Sequence, residues 1–418
     1  MDIFKTDHYF DAAATTQVDT EVYNAMQPYF ASKYYNPSSL YSKSKEIKKD
    51  IDNARHIIAN SINAKDNEIY FTSGGSESNC WAIQGFCKRH PHTCVLTSEL
   101  EHHSIIECCN DLSSDNPVVY INVNTDGTID LVNLENELKH FSKYYPILVS
   151  IQLANNEIGI IQDIKAISEI VHKYNAVLHC DATQDYCHIP INVKELGIDM
   201  LTASGHKINT PKGIGFLYIK NGIDISPIIY GSQESDMRGG TENVPYIIGL
   251  AKAVELHQKC NNEFYQKALT EVQSYLIKQL NENFDCHING SLTDRLHNNV
   301  NVTFNLPITG EALIYMLDTA GICISAGSAC NSKSNQPSQV LKAIGLTNGQ
   351  ALKTIRITIP NLTMKAYGSI FEIKKESECQ FITSIAKSAI DQLINEIKKA
   401  CDVLVFKSIE DKINEVFK

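Results

Sequence analysis

Four short stretches of the 418-residue chain hold residue types that chemistry needs. Thr72-Ser73-Gly74-Gly75-Ser76-Glu77 follows an apolar run and opens a helical pattern. Glycines there let backbone N–H groups approach an anion, and a helix N-terminus adds partial positive charge. Ser76 would either bind a phosphate through its hydroxyl or cap the helix. A turn built for geometry alone has the same composition, so this stretch by itself leaves both readings open. His179-Cys180-Asp181-Ala182-Thr183-Gln184 puts Asp181 at the carboxyl end of an apolar strand, where open α/β sheets bind ligands. The same carboxylate could instead cap a following helix. Ala203-Ser204-Gly205-His206-Lys207 places an amine just after another strand, either solvated in a loop or held for a Schiff base. Together the parts say more than singly. A phosphate cradle, a carboxylate to keep a pyridine nitrogen protonated and a strand-end lysine are what pyridoxal phosphate requires.

The fourth stretch is Ser325-Ala326-Gly327-Ser328-Ala329-Cys330-Asn331-Ser332-Lys333-Ser334-Asn335-Gln336-Pro337, small and polar after the apolar Gly321–Ile324. Such composition predicts an exposed loop, and an exposed thiol near cations ionises and attacks. The alternative is a surface thiol without a role. The other cysteines differ: Cys80, Cys87, Cys94, Cys108, Cys109 and Cys180 sit in mixed apolar surroundings and read as small core residues. The total of 13 is odd and no C-x-x-C pair occurs, so zinc ribbons and dithiol oxidoreductases lose support and no metal is expected.

These stretches need elements to hold them. Buried strands are expected at Glu68–Ser73, Thr93–Thr97, Val118–Val123, Ile147–Gln152, Ala176–Cys180, Met200–Ala203 and Gly215–Ile219. Amphipathic helices Glu77–Arg89, Ser104–Leu112 and Ile164–Tyr174 alternate with them, and that rhythm reads as a doubly wound α/β domain. Pro245–Asn283 is almost continuously helical in pattern and could bridge two domains. Asn299–Phe304 and Thr354–Ile359 alternate like half-exposed antiparallel strands. In the tail, Ile385, Ala389, Leu393 and Ile397 form an apolar stripe expected to pack on a second, smaller domain.

Composition sets the outer bounds. Hydrophobic residues are 43% and charged residues 20%, an ordinary globular balance. The net charge of −11 disfavours a nucleic-acid or anionic-membrane surface, so neither partner is expected. Residues 1–11 lack the apolar core of a secretory signal, and no apolar run approaches the ~20 residues that span a bilayer. A cytoplasmic chain is expected.

The chain resembles the cysteine desulfurases of the class V pyridoxal-phosphate-dependent aminotransferase family, in the group with the catalytic cysteine on a long mobile loop. The resemblance rests on Tyr9–Thr16, Asn36–Ser39, Thr72–Asn79, Glu101-His102, Ala154–Gly159, Asp181–Gln184, Ser204–Lys207 with Pro211–Gly213, Arg238–Thr241 and Ser325–Cys330, in order. It implies an α/β fold type I pyridoxal-phosphate enzyme. A large, mostly parallel sheet domain would span 15–258, and a smaller α+β domain of 1–14 and 259–418 would carry the cysteine loop. The reaction implied is L-cysteine to L-alanine, with the sulfur kept as a persulfide on Cys330 for an acceptor protein. That acceptor could belong to iron–sulfur cluster assembly, tRNA thiolation or DNA modification.

Carried over position by position, the resemblance makes Lys207 the amine joined to the cofactor aldehyde and Asp181 the partner of its ring nitrogen. His102 would stack on the ring and act as acid–base, and Gln184 would bond the phenolic oxygen. Ser76, Ser204, His206 and the Gly75 backbone would hold the phosphate, with Thr241 reaching the phosphate of the other subunit of a homodimer. Asn155 and Arg356 would orient the substrate carboxylate, for which a guanidinium fork is well shaped. The pattern departs from the family after Arg356, where Ile357–Met364 and an additional stretch to Gln380 replace a short turn, and at Tyr41, where a histidine is common. A selenocysteine lyase, or another pyridoxal-phosphate lyase of this fold, would keep the Lys207 set without needing Cys330. A non-catalytic scaffold in a sulfur-transfer complex would need neither.

Overall fold

The computed structural model describes residues 8–112, 114–326, 337–363 and 370–416, with side chains through 408. Cys330 lies outside the described residues. A seven-stranded sheet forms the larger layer: β1 (Ile69–Thr72), β2 (Cys94–Ser98), β3 (Val118–Ile121), β4 (Ile147–Gln152), β5 (Val177–Asp181), β6 (Met200–Ser204) and β7 (Gly215–Ile219). Its order is β1-β7-β6-β5-β4-β2-β3. The run β3-β2-β4-β5-β6 is parallel, while β7 is antiparallel to both neighbours.

Every position of β2, β4, β6 and β7 is buried, as expected of strands covered on both faces. The alternation of the pleat divides them between two cores. Leu96, Val149, Leu178 and Phe216 face a core shared with the helices Ser42–Ser61 and Val244–Cys260. Val95, Leu148, Met200 and Leu217 face one built with Trp81 and Phe86 of helix Gly75–Arg89 and Ile105 of helix His103–Asn110.

A second, antiparallel sheet has the order β10-β11-β9-β8, from β8 (Cys286–Ile288), β9 (Asn299–Phe304), β10 (Ser325–Ala326) and β11 (Thr354–Thr358). Val300, Val302, Phe304, Ile355 and Ile357 pack with residues of the helices Glu263–Asn283, Gly310–Thr319 and Glu376–Val416. The opposite face of β9 presents Asn299, Asn301 and Thr303, all buried. These two strands are therefore buried throughout, not half-exposed as the alternation suggests. Alternation marks a change of chemistry across the strand, and here both chemistries are covered.

Three further differences have plain causes. The long helical stretch after Thr241 is two helices, Val244–Cys260 and Glu263–Asn283, because Asn262 caps the second through Tyr265 N. The expected strand Gly321–Ile324 contributes only a bridge from Cys323 to Tyr9, and the pairing with β11 falls at Ser325–Ala326 instead. In the tail stripe Ile385 is only half-buried, whereas Ile382, Ala389, Ile390, Leu393 and Ile397 are buried. The departing stretch after Arg356 is part of the fold: Ile370 joins the large core and donates its N–H to Asp19, and Ile373 joins the small one. Among the described residues no helix is long and apolar enough to cross a membrane.

Candidate active site

The parallel strands end at a common edge, and the residues singled out there come together. Asp181 is the last residue of β5 and is buried. Its Oδ2 accepts from Asn79 Nδ2 at 2.7 Å and its Oδ1 from Thr183 N at 2.9 Å. No helix follows it, so the carboxylate closes a turn and caps nothing. Helix Gly75–Arg89, whose Asn79 bonds Asp181, starts without a side-chain cap, leaving its first-turn amides available to an anion. Gly74 has φ 150° and ψ −174°, a conformation only glycine adopts readily. A Cβ at Gly75 would come within 2.9 Å of Thr183 Oγ1 and 3.6 Å of Ser204 Cβ. Thr183 Oγ1 is itself buried with no partner among the described residues. An uncapped helix end, glycine-lined space and an orphaned hydroxyl are a donor set suited to a phosphate. Ser204 is buried beside this space, while Ser76 is exposed at its rim.

Lys207 closes a short 3₁₀ turn that follows β6. Its Nζ donates to the carbonyls of Ala13 and Ala14, the latter at 3.0 Å. Gln184 Nε2 reaches the same Ala13 carbonyl at 3.2 Å. The segment Ala12–Gln17 is held along the lysine turn by Thr16, whose N and Oγ1 both donate to His206 O, at 3.0 and 2.9 Å. His206 Nδ1 lies 3.2 Å from Thr15 Oγ1. Burial, and after it the nearby Lys207 and Lys212, holds the His206 imidazole down to about 4, so the ring is neutral at pH 7.

His102 caps helix His103–Asn110: its Nδ1 accepts from Ser104 N at 3.1 Å. A backbone N–H can only donate, so a neutral ring carries its proton on Nε2. Burial lowers the pKa of His102; Lys207 acts in the same direction and Asp181 against it. Behind it, Glu101 is fully buried, accepting from Ser98 Oγ at 2.7 Å and Gln152 N at 2.8 Å. Burial pushes its carboxyl up to about 8, with Asp181 adding to the rise.

The two groups expected to orient a carboxylate are already well used. Asn155 gives Nδ2 to Leu100 O at 3.0 Å, and its Oδ1 accepts from both Glu157 N and Ile158 N at 2.8 Å. Arg356, on β11 and 1% exposed, donates Nη1 to Asn156 O at 2.9 Å and Nη2 to Asp11 Oδ1 at 2.8 Å. Its buried Nε has no partner among the described residues. Thr241 is exposed, on a segment tied to the phosphate loop by Arg238, which grips Glu77 at 2.8 and 3.1 Å. Glu77 in turn accepts from Ser73 N.

Sequence reasoning missed Asn79, Thr183, Glu77, Arg238 and Asp11 as partners, although each lies inside or beside a quoted motif. Their signal was position within those motifs, not residue type. Cys87, Cys94, Cys108, Cys109 and Cys180 are buried as expected, and Cys80 is half-buried. Among the described residues no cluster could hold a metal ion.

A cysteine desulfurase IscS from Dictyoglomus turgidum is 42% identical over 366 residues, covering 86% of this chain and 91% of its own. A solved NifS-like protein from Rickettsia africae superposes with a TM-score of 0.76 at 31% identity, covering 92% of this chain and 99% of its own. A structure of SspA in complex with cysteine gives 0.73 at 33% identity, over 85% of this chain and 99% of its own. Residues 8–366 match the description of a single family, and they contain both sheets. The chain belongs to the aminotransferase class-V family.

Proposed function

We propose that the protein is a pyridoxal-phosphate-dependent cysteine desulfurase, converting L-cysteine to L-alanine and leaving the sulfur as a persulfide on Cys330. The observation that carries the reading is the convergence of the Lys207 amine, the Asp181 carboxylate, the His102 ring and an uncapped, glycine-lined helix end on one sheet edge. It is supported by the relatives that bear the desulfurase name and by the neighbour solved with cysteine.

The residues present suit the cofactor. Gly75, Ser76, Thr183, Ser204 and His206 would hold its phosphate, Asp181 its ring nitrogen, Gln184 its phenolic oxygen and Lys207 its aldehyde. When bound, pyridoxal phosphate supplies an electron sink for the substrate carbon. Asp181, fixed by Asn79 and Thr183, offers a negative charge that cannot rotate away. Lys207 would leave the Ala13 and Ala14 carbonyls to engage the cofactor and then carry the substrate α-proton on Nζ. His102 presents Nε2–H as a proton donor, while Asn155 and Arg356 orient the carboxylate end. The Cys330 thiolate attacks the substrate sulfur: an S–S bond forms, the carbon–sulfur bond breaks, and the carbon takes a proton to complete alanine. In sum, Cys330–SH plus L-cysteine gives Cys330–SSH plus L-alanine.

The reading includes a homodimer in which the exposed Thr241 serves the partner's phosphate site, a large domain of 15–258 and a small one of 1–14 with 259–418. It also includes an acceptor protein for the sulfur and a cytoplasmic location. The test is alanine formation from L-cysteine by the purified full chain, beside Lys207→Ala and Cys330→Ala. Loss in both variants is expected. Undiminished turnover in Cys330→Ala removes the persulfide step, and equal or greater activity on selenocysteine that is independent of Cys330 favours the lyase instead.

A further inference from the structure

Asn79, on helix Gly75–Arg89, is 1% exposed. Its Nδ2 donates in two directions, to Asp181 Oδ2 at 2.7 Å and to Ser104 Oγ at 2.9 Å. Its Oδ1 is buried with no partner among the described residues. That asymmetry fixes the amide, because the flipped orientation would set Oδ1 against the Asp181 carboxylate. Both amide hydrogens are therefore committed, one to each side.

Ser104 carries the connection onward. It lies in the first turn of helix His103–Asn110, and its Oγ stands 2.8 Å from His102 Nδ1. Ser104 N donates to the same nitrogen at 3.1 Å. Since that N–H makes Nδ1 an acceptor, the hydroxyl must also donate to it while accepting from Asn79. The donors in the chain then have one arrangement only: Asn79 gives to Asp181 and to Ser104, and Ser104 gives to His102. One buried amide thus holds both the carboxylate read as the partner of the cofactor ring nitrogen and, through a hydroxyl, the imidazole read as stacking on that ring.

Two hydrogen bonds into Nδ1 have a chemical consequence. They leave the proton of the neutral ring on Nε2, and they oppose a second proton, which would have to sit on Nδ1 facing two donors. The other charged and titratable groups around the ring are Asp181 at the end of β5, Lys207 and His206 on the turn after β6, and the adjacent His103. Burial most strongly favours the neutral ring; Asp181 works against it, and Lys207 and His103 work with it.

We propose that Ser104 and Asn79 are positioning residues for the reaction, holding the His102 imidazole and the direction of its Nε2–H in register with Asp181. This rests on the reading of His102 as an acid–base group of a desulfurase. Ser104 acts through His102, and Asn79 acts through Ser104 and Asp181. Acid–base catalysis by a well-placed side chain contributes on the order of 100-fold or more, so loosening the ring has a measurable cost.

The test has two arms. In the cofactor-free full chain carrying isotope-labelled histidine, the His102 ring is titrated by NMR, its signal assigned by its loss in His102→Gln. The midpoint is expected to rise by about one pH unit in Ser104→Ala, a roughly 10-fold gain in proton affinity, and to stay within about 0.3 of a unit of the parent in Ser104→Thr, which keeps the hydroxyl. Asn79→Ala should raise it less, because the hydroxyl remains but is free to turn, and Ser104→Ala should add less on that background than in the parent. Asn79→Ser, with one hydrogen to give in place of two, serves if Asn79→Ala does not fold. In the holoenzyme, kcat for alanine formation should fall about 10-fold in Ser104→Ala and be restored in Ser104→Thr, with KM for L-cysteine changed less than about 2-fold. An unmoved midpoint or a parental kcat in Ser104→Ala overturns the proposal. So does a Ser104→Thr shifted as far as Ser104→Ala, or strictly additive effects at positions 79 and 104. If instead Lys207→Ala and Cys330→Ala form alanine at the parental rate, the functional reading fails. The titration still reports whether the chain holds His102.

Discussion

Arg356 and Asp11, 345 positions apart in the chain, form an ion pair with Nη2 2.8 Å from Oδ1. The guanidinium is 1% exposed and the carboxylate 18% by side chain, so Asp11 is the ion-pair partner of a buried charge. Removing one member of such a buried pair strands the other. Asp11→Ala should therefore lower stability by about 3 kcal/mol, the lower end of that cost given the partial exposure of Asp11. Asp11→Asn, which keeps an acceptor, should lose less. Urea unfolding of the parent and both variants measures this, and an unchanged midpoint in Asp11→Ala refutes it.

The phosphate cradle makes a steric prediction. Gly75→Ala places a methyl 2.9 Å from Thr183 Oγ1, closer than real Cβ contacts come. Cofactor affinity should fall by roughly 10-fold, about 1.4 kcal/mol. The double variant Gly75→Ala/Thr183→Ser should not recover it, because the clashing oxygen remains. Titration of cofactor absorbance decides. Full affinity in Gly75→Ala alone means the glycine is not needed for space.

Acid stability should depend on histidines that their surroundings keep neutral. His257 is held down to about 3 and His206 to about 4, in both cases chiefly by burial. Below their unfolded value near 6.5, the unfolded chain binds more protons than the folded one, so these groups make stability fall as pH drops from about 6.5 towards 4. His206→Asn removes one such group, and the acid limb of a plot of unfolding free energy against pH should become shallower. An identical slope in parent and variant contradicts this.

Glu101 acts with the opposite sign. Its carboxyl is raised to about 8 by burial, so between about 4.5 and 8 the folded protein holds a proton that the unfolded chain has lost. Its contribution is present at low pH and is lost as pH rises through that window. Glu101→Gln, an uncharged near-isostere, should be more stable relative to the parent at pH 8 than at pH 5. Circular-dichroism melts at the two pH values test it, and a constant difference counts against it.

All seven strands of the large sheet were legible, because buried parallel strands are written as short apolar runs between helical patterns. The groups at their ends were legible for the same reason: once Asp181 and Lys207 follow such runs, both must lie at the sheet's ligand-binding edge. The smaller sheet was read less well. β9 and β11 look half-exposed because polar residues alternate, yet Asn299 and Asn301 face the Asn155–Ile158 loop instead of water. The strand expected at Gly321–Ile324 was displaced because pairing with β11 depends on register against Arg356, which no local pattern encodes.

By itself, the order of residues determined which chemistry the chain carries: an amine, a carboxylate, an imidazole and a glycine-rich turn, each attached to a recognisable element. Only the tertiary structure decided what those groups touch. It placed Lys207 against the Ala13 and Ala14 carbonyls, paired Arg356 with Asp11, and set Glu157 on Ser338. The reason is one of range. Strand and helix signals come from neighbours a few positions apart, whereas these contacts join residues 181 or more positions apart and exist only once distant parts of the chain have been brought together.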